Sequence, residues 1–138
     1  MLLKYDQKGE IKELYISTSK EFIPYLREGE SLLEVSDGYF QMDDYYIAES
    51  TLQYKGIAPK IYSVWDWDFK TWVDSLDKAA EYQRTVRNSL LADADILIFK
   101  AEDLGQDTTA LRQYRQELRD ITNQVGFPLE VIYPQIPV

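Results

Sequence analysis

Apolar and polar positions follow one period in the front of this chain and another in the back. Over roughly the first 58 residues, short apolar runs alternate with turn signals, the habit of a small β-rich unit. Residues 2–5, 10–17, 32–35, 45–48 and 52–55 are the predicted strands. Asp6-Gln7-Lys8-Gly9, Ser36-Asp37-Gly38 and Lys55-Gly56 separate them. Asp37-Gly38 suits the positive φ angles of a tight turn, so residues 32–35 and 38–41 read as a hairpin. Residues 21–27 read as a short helical turn, because Phe22, Ile23 and Leu26 cluster at helical spacing around Pro24.

From Trp72 onward the period becomes helical. Leu76, Ala79, Ala80, Gln83, Val86, Leu90 and Leu91 trace one stripe with a single polar interruption at Gln83, which predicts a helix over 76–92. Asp93-Ala94-Asp95 is expected to end it, and residues 96–99 to follow as a short buried segment. Gly105-Gln106-Asp107 then turns the chain into a second helix, 109–121, with Leu111, Tyr114, Leu118 and Ile121 on one face and Asp107 and Thr108 as caps. Gly126 and Pro128 stop that helix. What remains is an extended arm carrying Phe127, Leu129, Val131, Ile132, Tyr133 and Ile136, stiffened by Pro128, Pro134 and Pro137. So apolar an arm must dock, either over its own helices or on a partner.

The pattern gives an α+β fold: a small β-rich N-terminal lobe, residues 1–58, then residues 59–138, an aromatic lead-in, an antiparallel helix pair and an extended Pro-containing arm. The junction falls at Ile57-Ala58-Pro59-Lys60. At 138 residues, such a chain can bury roughly 68% of its unfolded surface, enough for one domain or two small lobes.

Composition narrows the chemistry. With no Cys and no His, the chain has no thiolate, imidazole base or zinc site of the usual ligand types. The net charge of −9 is unevenly spread, with 7 basic against 13 acidic residues up to Phe69 and 8 against 11 beyond it. Such acidity repels phosphate backbones, so no nucleic-acid partner is expected. The charged start and the lack of any long apolar run predict no secretory segment and no membrane span, hence a soluble protein.

Asp43-Asp44, Asp66-x-Asp68 and Asp93-x-Asp95 are carboxylate pairs that could serve acid–base work or a hard cation, yet none has the glycine and distal Glu of a calcium loop. They read as turn and cap residues, with no catalytic residue, metal or cofactor expected. Trp65, Trp67 and Phe69 alternate with Asp66, Asp68 and Lys70, which describes a half-buried strand better than a sugar platform. Arg84, Arg87, Arg112, Arg115 and Arg119 recur at helical intervals and read as partners of nearby carboxylates such as Asp95.

Four elements in order resemble the tail fibre assembly and tail assembly chaperones of tailed phages. They are Asp66-Trp67 with Trp72; Arg84-x-x-Arg87-Asn88-x-Leu90-Leu91; Tyr114-Arg115-Gln116-Glu117-Leu118-Arg119-Asp120-Ile121; and Gly126-Phe127-Pro128 with Tyr133-Pro134. Thr122 stands where that family usually has Pro, and Tyr133 where it usually has Trp. The resemblance implies a non-enzymatic chaperone that binds the C-terminal, distal region of a tail fibre and assists its folding and trimerisation. It would act in the host cytoplasm during assembly, with retention on the virion tail and self-association left open. Tyr114, Arg115, Arg119, Phe127, Pro128, Tyr133, Pro134 and Ile136 are the expected partner-binding residues. The alternative is an adaptor of the phage tail that contacts host-surface glycan through Trp65 and Trp67.

Overall fold

The strands and helices stand largely where the change of period puts them. The computed structural model describes residues 1–16, 19, 21–36, 38 and 40–138. Its elements are β1 (Leu2–Tyr5), β2 (Ile11–Tyr15), β3 (Ser31–Glu34), β4 (Tyr45–Ala48), β5 (Thr51–Tyr54), β6 (Ser63–Asp66), β7 (Thr71–Asp74), α1 (Leu76–Asp103) and α2 (Thr109–Asp120), with 3-10 turns at Met42–Asp44 and Ile121–Asn123. The fold class is α+β, as the pattern predicts. Contacts divide it into two units: Met1–Pro59 with Val64–Val73, and Lys60–Ser63 with Asp74–Val138.

In the first unit, β1 lies between β2 and β3 and is antiparallel to both, with Leu3 opposite Leu14 on one side and Leu33 on the other. Leu3, Ile11 and Ile47 form its buried core, flanked by Leu14, Leu33, Phe40, Tyr45 and Leu52. Beside Leu3, the buried Lys4 keeps its charge because its ammonium lies 2.7 Å from Glu13 and 3.8 Å from Glu30. Asp6 shapes the β1–β2 turn, where its carboxylate accepts the amides of Lys8 and Glu10 at 2.8 and 3.1 Å. Gly9 closes that turn at φ 81°. A Cβ there would lie 2.0 Å from the Ile47 carbonyl oxygen, so only glycine lets β4 approach. β4 and β5 form a second antiparallel pair through Glu49 and Ser50, both with positive φ.

Two expectations for residues 21–41 are not met among the described residues. β3 pairs with β1 rather than in a hairpin with 38–41, of which Gly38, Phe40 and Gln41 are in no strand. Leu33 finds its apolar neighbours on β1, so no second partner is needed. The Asp37 and Tyr39 of that predicted hairpin, and Ser17 of the second strand, lie outside the described residues. Residues 21–27 are not helical, because Phe22, Ile23 and Leu26 are exposed and no buried face rewards a turn there.

In the second unit, α1 starts where Ser75 accepts the amide of Lys78 at 3.3 Å. It runs for 28 residues, straight through the expected stop at Asp93-Ala94-Asp95. Neither Gly nor Pro is present to break it, and Ala94 is buried against α2, so the stripe from Ala79 and Gln83 continues through Ala94, Ile98 and Ala101. Residues 96–99 are therefore helical, with Ile98 buried but Ile96 and Phe99 exposed. The helix closes at Gly105, φ 65°, with the Gln106 amide bonded to the Ala101 carbonyl at 2.8 Å. Asp107 caps α2, accepting both the amide and the hydroxyl of Thr109 at 3.0 and 2.7 Å. α2 returns antiparallel, burying Tyr114 and Leu118 against Ala94, Leu90 and Leu91.

Leu118 is fully buried, so Leu118→Ala should cost about 2–5 kcal/mol in chemical denaturation. Ile96→Ala, on the exposed face of the same pair, should cost under about 0.5 kcal/mol.

Candidate functional site

The residues that sequence singles out for partner binding converge on the helix pair and the chain that follows it. After α2 the chain does not extend at once. It turns through residues 124–130, with Phe127 bonded to the Gln124 carbonyl at 3.1 Å and Glu130 to the Gly126 carbonyl at 2.7 Å. Gly126 is obligatory here, since a Cβ would meet the Glu130 oxygen at 2.4 Å. The extended arm is thus residues 131–138, shorter than the sequence suggests.

Two polar clamps hold this arm. The buried Gln83 of α1 accepts the Tyr133 hydroxyl at 2.6 Å and donates from Nε2 to the Pro128 carbonyl at 3.3 Å. Gln124 makes a two-point clamp on Ile132, donating to its carbonyl at 2.7 Å and accepting its amide at 2.9 Å. With its hydroxyl satisfied, the Tyr133 ring packs against the Ala94, Tyr114 and Leu118 cluster. Phe127 lies under the Arg84 guanidinium, 5.7 Å from ring centre to Cζ.

The expected binding residues therefore fall into two groups. Tyr114 is core, Arg115 pairs with Asp95 at 2.9 Å, and Phe127, Pro128, Tyr133 and Pro134 are half-buried. Arg119 and Ile136 are exposed, and Arg119 makes no ion pair among the described residues. Asp95, expected both as a cap and as a partner of the helical arginines, lies mid-helix and pairs with Arg115. Arg112 pairs with Glu102 rather than with a carboxylate of its own helix.

Sequence reading missed Ile132 as distinct from Tyr133. Ile132 is 80% exposed, because the Gln83 and Gln124 clamps turn Tyr133 inward and its neighbour outward, and Ile136, near the end of the arm, is 52% exposed. An open groove of about 350 Å³ lies beside Ile132, lined by Glu117, Asp120, Gln124, Tyr133 and Pro134. A second, of about 400 Å³, runs between the end of α1, the start of α2 and the tip of the arm, with Leu97, Leu104, Leu111 and Ile136 among its walls.

The tryptophans of the first unit are not an open platform, nor are they on one strand. Asp66 accepts the amides of Asp68 and Phe69, both at 2.9 Å, and makes residues 67–70 the turn between β6 and β7. Trp65 meets Trp72 edge-on at 5.4 Å and Tyr46 at 5.2 Å. Lys55 and Lys70 lie 4.4 and 5.4 Å from the Trp67 ring centre. Trp72 donates to the Lys55 carbonyl at 2.8 Å. Phe69, expected to face the core, is exposed at the turn. The second strand went unread because Asp66 and Asp68 fit the alternation as well as they fit a turn.

Burial raises the pKa of both Tyr133 and Tyr114, with Asp93 adding to the effect at Tyr114. The unfolded phenols ionise first as pH rises past about 10, so these two groups stabilise the fold below that pH and progressively less above it. Thermal melts should show a falling midpoint above pH 10, and Tyr133→Phe should lessen the fall. At neutral pH the same variant leaves the Gln83 oxygen without its donor, at a cost of about 1–3 kcal/mol.

Comparison with curated proteins and with solved structures finds no match. Comparison with protein families does find one, over residues 80–138, somewhat under half of the chain. That segment holds most of α1, all of α2, both clamps and the arm. Over it, the chain is similar to the phage tail assembly chaperone protein family, whose model matches residues 80–138.

Proposed function

We propose that this protein is a non-enzymatic assembly chaperone for a phage tail fibre, and that it holds the fibre's C-terminal, distal region until trimerisation buries it. The observation that carries the reading is the outward pair Ile132 and Ile136 on an arm already fixed by Gln83 and Gln124. Apolar anchors presented on a pre-ordered segment lose little conformational entropy on binding, and such anchors concentrate interface energy. Glu117 and Asp120 beside Ile132, and the exposed Arg119, give the surface a polar rim. Covering apolar surface on an unassembled fibre limits its aggregation.

Two of the carboxylates considered for catalysis have structural work: Asp66 shapes a turn and Asp95 pairs with Arg115. The glycan-contacting adaptor is less well supported, because Trp65 and Trp67 pack on one another, on Tyr46 and Trp72, and under lysines. We place the activity in the host cytoplasm during assembly.

The test is co-expression with the product of a neighbouring tail-fibre gene. Ile132→Ser combined with Ile136→Ser should leave the melting temperature unchanged and abolish the rescue of soluble, trimeric fibre. Rescue at the level of the unsubstituted protein would remove the arm from the binding surface.

A further inference from the structure

β4 and β5 pair with the Lys55 amide on the Asp44 carbonyl at 2.8 Å, which sets the parity of the ladder. Residues 51, 53 and 55 bond inward to 48, 46 and 44, so the backbone groups of Leu52 and Tyr54 point out of the edge. On the opposite side of the pair, the outward amide of Ile47 is taken by the Gly9 carbonyl at 2.9 Å. Among the described residues, Leu52 and Tyr54 have no such partner.

The edge is also left undefended. β3, at the outer side of the three-stranded sheet, follows Glu30 and ends in Glu34, while within β5 Thr51-Leu52-Gln53-Tyr54 carries no charge, proline or bulge, the nearest charges being Glu49 and Lys55 beyond its ends. A row of aromatic rings leads to it: Phe40 meets Tyr45 at 5.3 Å, Tyr45 meets Tyr54 at 5.3 Å, and Tyr54 at the rim is 57% exposed. Leu52, on the same face, packs on the Leu3, Ile11 and Ile47 core. An added strand would extend both the ladder and the apolar face.

Charge selects the occupant. The first unit carries 7 basic and 13 acidic residues, and around the β4–β5 pair Asp43, Asp44 and Glu49 outnumber Lys55, so a second copy of this chain would meet a net like charge. We infer that β5 is an acceptor edge for an extended, uncharged or basic segment of the tail protein whose assembly this chain assists, which adds as a strand along Leu52 and Tyr54. The inference rests on the chaperone reading and assigns it a second surface, separate from the arm.

Amide hydrogen exchange on the unsubstituted chain, free and in complex with the co-expressed tail protein, tests this. The Leu52 and Tyr54 amides should exchange readily in the free chain and become protected in the complex, while those of Thr51, Gln53 and Lys55 change little. A complex in which Leu52 and Tyr54 still exchange at the free rate overturns the inference and leaves the chaperone reading standing. Absence of any complex overturns both. Protection that appears in the free chain and rises with its concentration would make a second copy the occupant and overturn the assignment. Tyr54→Pro, which removes the outward donor together with the ring that meets Tyr45, should also lose co-purification of the tail protein, while Tyr54→Ala, which loses the ring and keeps the donor, should retain it.

Discussion

A glutamine in an otherwise apolar stripe organises the C-terminal unit. Gln83 is 9% exposed on the face by which α1 packs, and an amide there without partners would be costly. Tyr133 and Pro128, 50 and 45 residues along the chain, supply those partners. The helix pair on its own would leave the amide unsatisfied, so the tail is needed to complete the polar balance of the core. In turn the tyrosine hydroxyl can enter the core only because Gln83 receives it. Each group makes the other tolerable.

The arm's geometry follows from that exchange. Once Tyr133 is drawn inward, alternation along an extended chain directs Ile132 outward, and Gln124 fixes the backbone at that residue. A small protein thereby presents apolar side chains without leaving the segment that bears them loose. The first unit solves a different problem by similar means. Lys4, taken out of water, is held by Glu13 and Glu30, and Lys55 and Lys70 are laid against the tryptophans rather than left to solvent.

Much of this is legible in the residues. Period 2 and turn chemistry locate β1, β4 and β5, and the stripe Leu111, Tyr114, Leu118 locates α2, because local pattern and tertiary burial agree there. They part company at Asp93-Ala94-Asp95, where two acids suggest a stop and the burial of Ala94 keeps the helix going. They part again at Trp65 to Phe69, where an alternation that suits a strand is folded into a hairpin by Asp66. Gln83 is visible in sequence only as an interruption of a stripe, since the partners that explain it are remote in the chain. For the same reason, sequence cannot separate Tyr133, which faces the core, from Ile132, which does not.

The account depends most on the arm lying on its own helices in the free protein, with Tyr133 inside. Nuclear Overhauser contacts in the isolated chain measure this directly. Cross-peaks from the Tyr133 ring to the Ala94 and Leu118 methyls and the Tyr114 ring are the expected result. Sequential contacts alone, with random-coil shifts from Val131 to Val138, would contradict it.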